Sequence, residues 1–267
     1  MRDSWRLYCR YVGISLRAQM QYPASFAMMA AGLFVVTFIE FLGMWALFAR
    51  FGSIRGWSLS EVALLYGIAH TSFAISEAVA RGFDIFHRQV RTGDFDRLLL
   101  RPRHTAFQVF GQEFQLMRVG RMAQGLLVLG WAVSVLEVPL GSAPLALLLL
   151  SIVGGACLFS GLYMLQATLS FWTVDSLELA NMVTHGGVEA SQFPLSIYRA
   201  WFRNLFIYVV PLAAVTYMPA VAILGKNDPL GFPHWVHWMS PLIGIAFFLV
   251  CLPVWDFGVR HYKSTGS

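Results

Sequence analysis

Long apolar stretches separated by short polar links dominate the pattern of this chain. The clearest stretches cover residues 24–48, 61–80, 119–136, 145–172 and 238–256. A membrane-spanning α-helix needs about 20 mostly apolar residues, and these stretches approach or exceed that length. The pattern therefore predicts an all-α, polytopic integral membrane protein that forms a single transmembrane domain over residues 1–267.

The segment 173–237 fits two membrane paths. In the first, residues 205–224 form the fifth span. In the second, the more polar residues 174–193 form the fifth span. Residues 194–224, interrupted by Pro211 and Pro219, then dip into the membrane from outside and return. Such a path is possible where protein buries the irregular backbone, and the residue pattern alone leaves both paths open.

The first 22 residues are too polar to cross a membrane. Large apolar residues recur every three or four positions, and three arginines share another stripe: Trp5, Tyr8, Val12, Leu16 and Met20, against Arg6, Arg10 and Arg17. This period predicts an amphipathic helix over residues 1–22 that lies at the membrane surface and ends before Pro23.

Composition agrees with a membrane protein and argues against a disordered chain, a disulfide-rich mini-protein or an ordinary cytosolic enzyme. Of the 267 residues, 57% are hydrophobic and 12% are charged, whereas a soluble domain has about 25% charged residues. The sequence has no phosphate-binding GxxxxGK[ST] loop and no GxGxxG, GxSxG or HExxH signature. His234 and His237 have a metal-like spacing but no third ligand near them in sequence. We therefore predict no catalytic residue, no metal site and no cofactor in this chain.

Basic residues are distributed unevenly between the two sides of the predicted spans. With the N-terminus inside, the internal segments hold 16 Lys and Arg residues against 3 outside on the first path, and 14 against 5 on the second. An excess of basic residues marks the cytoplasmic side of bacterial-type topologies. Both counts predict that both termini lie in the cytoplasm.

Ionisable residues inside apolar spans are the default candidates for function. Glu40 lies in the first span and His70 in the second, and we assign both to a possible substrate pathway. A structural hydrogen bond between packed helices is the alternative. Glu77, near the inner end of the second span, is expected to pair with Arg81 four residues later.

The charged segment 91–103 combines helix signals with an apolar face. Thr92 or Asp94 is expected to cap a short helix and Pro102 to end it. The apolar face consists of Phe95, Leu98 and Leu99. A short amphipathic helix of this kind can insert into a groove of a partner protein, while a solvated loop is the alternative.

Three motifs of the chain resemble those of a known family. The string Arg91-Thr-Gly-Asp-Phe-Asp-Arg-Leu-Leu-Leu-Arg-Pro102 resembles the GELDxLLLRP motif of ABC-2 type permeases, in their subfamily of six-helix half-permeases. Asp94-Phe95 replaces the usual Glu-Leu. The segments 210–219 and 262–266 resemble the same family in the expected order.

The resemblance implies the transmembrane permease subunit of an ATP-binding cassette exporter in a bacterial plasma (inner) membrane. Two copies of a separate ATPase would bind ATP and Mg²⁺, and a second, related permease would complete the pathway. The resemblance favours the second membrane path, with six spans, a cytoplasmic coupling loop over 81–118 and a re-entrant segment over 194–224. It assigns ATPase coupling to Arg91, Gly93, Asp94, Phe95, Asp96, Arg97, Leu98, Leu99, Arg101 and Pro102. A secondary transporter or a membrane enzyme is the alternative.

Overall fold

A computed structural model describes residues 2–138, 141–173, 177–228 and 230–264, and the regular structure of these residues is helical. The helices before the third long span are α1 (Arg2–Gln19), α2 (Pro23–Phe51), α3 (Leu59–Val79), α4 (Arg81–Asp84), α5 (Phe86–Thr92), α6 (Phe95–Leu99) and α7 (Thr105–Phe110). The remaining helices are α8 (Val119–Val135), α9 (Ser142–Leu169), α10 (Leu177–Ser191), α11 (Ala200–Asn204), α12 (Leu212–Val215), α13 (Tyr217–Leu224), α14 (His234–Met239) and α15 (Pro241–His261).

Four of these helices, α2, α3, α9 and α15, are long and apolar enough to cross a membrane. The helix α8 has 17 residues, at the lower end of the length that crosses a membrane, and α10 is shorter, with 15. A further pair, Ala200–Val209 and Leu212–Leu224, is bent by 71° at its break, so it forms either a broken span or a re-entrant loop. The prediction of an all-helical protein with several membrane-crossing helices is confirmed.

Contacts between the long helices define their relative directions. Gly67 and Gly125 show that α8 runs antiparallel to α3, because Gly67 packs against Leu129 and Gly125 against Thr71. The helix α9 runs parallel to α3, as Ser76 Oγ lies 3.0 Å from Ser160 Oγ while Ser72 packs on Gly155. Thus α8 reverses the chain between two parallel helices.

Small residues form the seam between α9 and α15. The seam has three layers spaced seven residues apart on both helices: Gly154 on Gly244, Gly161 on Cys251 and Thr168 on Gly258. A Cβ atom added at Gly244 would collide with the backbone of Gly154. Small residues allow close approach of helix backbones in a membrane, where packing drives association. Sequence analysis missed this repeat, which holds α9 and α15 together as a parallel pair.

The segment after α9 packs along both halves of α3. On α10, His185 contacts Phe73, and Gln192 Oε1 lies 3.2 Å from His70 Nε2. Beyond the break at Pro211, α13 reaches the start of α3, where Lys226 bonds to Glu61. The predicted fifth span over 174–193 corresponds to α10, although residues 174–176 lie outside the described part of the chain.

The N-terminal helix is present as α1 and packs on the loop that follows α6. Tyr8 stacks on Phe110 with ring centroids 5.9 Å apart, and Gln19 Oε1 accepts a hydrogen bond from the Leu116 amide at 2.9 Å. The predicted stripe residues Trp5 and Arg6 have side chains outside the described part. The placement of α1 at the membrane surface stays a prediction.

Candidate functional site

The segment predicted to couple to an ATPase folds as two short helices joined by a glycine. The helix α5 ends at Gly93, whose φ of 73° lies in the left-handed region that favours glycine. Thr92 Oγ1 donates to Asp94 Oδ2 at 2.6 Å, and no side chain caps the start of α6. Gly93 thus forms the turn between α5 and α6, and the expected cap by Thr92 or Asp94 is wrong.

The inner face of α6 is buried in this chain's own core. Phe95 is 0% exposed and Leu98 is 3% exposed. Around Phe95 the other ring centroids lie 5.0–6.3 Å away, and these rings are Phe86, Phe171, Trp255 and Tyr262. The prediction that Phe95 and Leu98 insert into a partner's groove is therefore wrong, because both side chains are already buried within this chain. Phe95 is covered by rings at the ends of α9 and α15.

The opposite face of α6 and the residues after it form an exposed tip. Leu99 is 42% exposed and Leu100, which the sequence prediction left out, is 86% exposed. Arg97 and Arg101 flank the two leucines in the sequence, and exposed Asp94 lies 3.6 Å from Arg97. We call this patch the coupling surface; it consists of Arg91, Asp94, Arg97, Leu99, Leu100, Arg101 and Pro102, all exposed.

Hydrogen bonds fix the coupling segment to the rest of the chain. Buried Gln108 donates through Nε2 to the carbonyls of Leu98 at 3.1 Å and Arg103 at 2.9 Å. On the α15 side, Trp255 Nε1 donates to Thr105 Oγ1 at 2.9 Å. Gln108 and Trp255 gave no signal in the sequence because their roles depend on contacts across about 10 and 150 residues. The segment is thus bonded to α7, which is in turn bonded to α15.

Asp96 faces the C-terminal end of the chain instead of the coupling surface. Its Oδ2 accepts a hydrogen bond from Ser264 Oγ at 2.6 Å. Burial, followed by the neighbouring Asp96 carboxylate, raises the pKa of Tyr262. Asp96 therefore belongs to the base of the segment.

Glu77 forms a closed ion cluster at the C-terminal end of α3. Its two carboxylate oxygens lie 3.0 Å from Arg118 Nη1 and 2.9 Å from Arg121 Nη1, and the Glu77 side chain is buried. The expected pair with Arg81 is wrong, and Arg81 instead pairs with Asp84. The reason is local, since α3 ends at Val79 and a four-residue spacing across a helix end no longer places two side chains together.

The two predicted pathway residues come together in a second polar cluster. Ligand atoms of Glu40, His70 and Glu189, one from each residue, all lie within 4.8 Å of one another. Gln192 links two of them, because its Oε1 lies 3.2 Å from His70 Nε2 and its Nε2 donates to Glu189 Oε2 at 2.6 Å. Tyr66 stacks on the His70 ring with centroids 3.9 Å apart. We call Glu40, His70 and Glu189 the polar cluster.

The polar cluster is open on one side. His70 is buried, whereas Glu40 and Glu189 are exposed. Within the described ranges, neither carboxylate has a Lys or Arg partner at ion-pair distance. Sequence analysis missed Glu189 and Gln192, although the unusual polarity of 174–193 was the available signal. The arrangement can bind a cationic group or share protons.

His237 occupies a closed site near the start of α15. Its Nδ1 lies 3.1 Å from the Pro233 carbonyl and its Nε2 lies 3.1 Å from Asp228 Oδ2. Both ring nitrogens are thus engaged within the chain. His237 links the loop before α14 to that helix and has no nitrogen left for a ligand.

Comparison with known proteins agrees with the helical membrane architecture. A family model described as ABC-2 family transporter protein matches residues 34–266, which exclude α1 and the start of α2 and include all later helices. Searches of curated proteins and of solved structures returned no match. Since the match covers most of the sequence, this chain belongs to the ABC-2 family of transporter proteins.

Proposed function

We propose that this chain is the non-catalytic permease subunit of an ATP-binding cassette exporter in a bacterial plasma membrane. A separate ATPase supplies ATP and Mg²⁺ binding, for which this sequence has no phosphate-binding loop. The division of α6 into a buried inner face and an exposed tip supports this function most directly. A tip of this kind offers a docking surface whose position is fixed by the rest of the chain.

The coupling surface contacts the ATPase through Leu99 and Leu100. These side chains are exposed at the point where α6 ends, and an exposed apolar pair ringed by charge is typical of an interface anchor. Arg97 and Arg101 surround the anchor and select an acidic rim on the partner. The partner groove therefore takes the tip of the segment, while Phe95 and Leu98 keep the tip in place.

Motion of the ATPase reaches the membrane helices through the aromatic rings around Phe95, which form the aromatic base of the segment. Phe95 packs on Phe171 at the end of α9 and on Trp255 of α15, with centroids 5.5 and 6.3 Å apart. The small-residue seam then joins α9 to α15 along their length. Close-packed contacts transmit displacement because they resist compression. A shift of the tip thus moves α9 and α15 together against α3.

A path with six membrane crossings accounts for the directions of the helices and for the uneven distribution of basic residues. Both termini are cytoplasmic, α8 and α10 cross as short helices, and residues 194–224 enter and leave from outside. Support comes from the antiparallel packing of α8 on α3 and from the 71° bend around Pro211. The excess of basic residues in internal segments gives the orientation.

Cysteine labelling tests this topology. In a variant that lacks Cys9, Cys157 and Cys251, we expect Arg199→Cys to react with an impermeant thiol reagent on intact cells. The matched variant Arg97→Cys should react only after the membrane is opened. Labelling of Arg199→Cys solely from the cytoplasm would contradict the re-entrant path.

The complete exporter contains a second permease, a related chain, and two ATPase copies. The open carboxylates of the polar cluster would face lipid in an isolated chain, and charged groups in contact with lipid are costly. A second permease at this edge, with Glu40 and His70 on the substrate pathway between them, removes that cost. We expect mass measurement of the detergent-solubilised assembly to give two permeases and two ATPases. A lone permease that is stable and active without an ATPase would contradict the proposal.

A further inference from the structure

We propose that the polar cluster is a binding site for one divalent transition-metal cation of the Zn²⁺, Co²⁺ or Mn²⁺ type. The site lies between α2, α3 and α10, one ligand coming from each helix. This inference goes beyond the proposed function, because ATP-driven export by the assembly does not require a metal in the permease.

The distances suit a metal after small side-chain movements. Ligand atoms around one tetrahedral zinc ion lie about 3.4 Å apart, given metal–ligand distances of about 2.0–2.2 Å. In the polar cluster the three ligand atoms already lie within 4.8 Å of one another. Two of the three side chains, Glu40 and Glu189, are exposed. Rotations of these glutamates are therefore enough to close the remaining gap, while buried His70 stays in place.

Charge balance also favours a bound cation. Two carboxylates that face each other within the membrane repel, and each is costly in an apolar medium. Arg121 is the cation nearby on α8, but its Nη1 is bonded to Glu77 at 2.9 Å. Among the residues that the structure describes, no other Lys or Arg forms an ion pair with Glu40 or Glu189. A bound dication neutralises both carboxylates at once.

The surroundings of His70 leave one ring nitrogen for a ligand. His70 is 1% exposed, its Nε2 has Gln192 as its partner, and its Nδ1 is buried without a hydrogen-bond partner. An unpaired buried polar atom costs free energy, and metal-bound histidines typically use the other nitrogen for an orienting hydrogen bond. Gln192, which also bonds Glu189, is placed to orient both ligands.

The ligand set selects the class of metal. One imidazole nitrogen with two carboxylates suits Zn²⁺, Co²⁺ and Mn²⁺, whereas Ca²⁺ and Mg²⁺ prefer oxygen ligands alone. No thiolate is part of the cluster, so the soft cation Cu⁺ is disfavoured. A proton shared between the two glutamates is the competing way to relieve their repulsion, and it predicts no metal binding.

Direct metal binding tests the inference without any measurement of export. The assembly of this chain with the second permease and the ATPase, without a polyhistidine tag, is reconstituted in lipid nanodiscs and dialysed against Co²⁺ or Zn²⁺ alone. We expect one ion per copy of this chain and a Co²⁺ absorption band in the visible range. Glu40→Gln, Glu189→Gln and His70→Gln should each weaken binding at least tenfold, and Gln192→Ala should weaken it about 10- to 100-fold.

Matched controls separate loss of ligands from loss of folding. Glu137→Gln and His87→Ala change the same residue types at positions away from the polar cluster and should bind like the wild type. Bound Zn²⁺ should raise the unfolding temperature of the wild type but not of Glu189→Gln. If the wild type retains no ion, or if the three ligand variants bind as tightly as the wild type, the inference is wrong.

Discussion

The two faces of α6 differ in the burial of their apolar side chains. On the inner face, Phe95 and Leu98 are buried within the chain, and Phe95 packs on rings at the ends of α9 and α15. At the tip, Leu99 and Leu100 remain exposed beside arginines. The comparison separates residues that hold the coupling segment in place from residues that are open to a partner, although all four lie within six consecutive positions of one motif.

The same contrast appears between the two carboxylate clusters of the membrane domain. Glu77 is buried and bonded to both Arg118 and Arg121, whereas Glu40 and Glu189 are exposed and lack such partners within the described residues. A charge that is fully paired inside the chain contributes to the fold. A charge left unpaired at membrane depth indicates a ligand or a second subunit.

The largest effect is expected on the closed inner face. Phe95→Ala removes the ring at the centre of the aromatic base, and such a change in a packed core costs about 3–5 kcal/mol. We expect a correspondingly lower free energy of unfolding in detergent. Phe51→Ala, which truncates an exposed ring, should change stability by much less. Equal stability of the two variants would show that the inner face is not closed.

The smallest effect is expected from single charges at the tip. Arg97 is exposed and 3.6 Å from Asp94, and an exposed ion pair contributes about 0.2–1 kcal/mol. Arg97→Ala should therefore leave the unfolding temperature unchanged and weaken ATPase binding by no more than about fivefold. A much larger loss of binding, measured with the purified ATPase, would show that the arginines rather than the leucines anchor the ATPase.

Local sequence patterns were sufficient for the helices and for the turn in the coupling segment. Apolar stretches of about 20 residues predicted the long helices, and Gly93 marked a left-handed turn that other residues adopt at a cost. Pro211 marked the break in the bent pair. These features depend on residues that are close in sequence.

Features that depend on tertiary partners could not be predicted in this way. The amphipathic pattern of α6 showed that Phe95 and Leu98 share a face, but only the positions of Phe171 and Trp255 show that this face is buried. Likewise, Glu40 and His70 were visible as isolated ionisable residues. Their meeting with Glu189 depends on the path of α10, which the sequence left ambiguous.

The affinity between the reconstituted permease and its ATPase tests the central claim most directly. Leu100→Ala truncates the most exposed apolar side chain of the coupling surface, and loss of an interface anchor costs about 2 kcal/mol or more, which corresponds to a Kd about 30-fold higher. Leu127→Ala, an equally conservative change on an exposed face of α8, serves as the control. The account predicts weaker ATPase binding for Leu100→Ala, with unchanged stability and no change in the control. Wild-type affinity of Leu100→Ala and of the double variant Leu99→Ala/Leu100→Ala would contradict it.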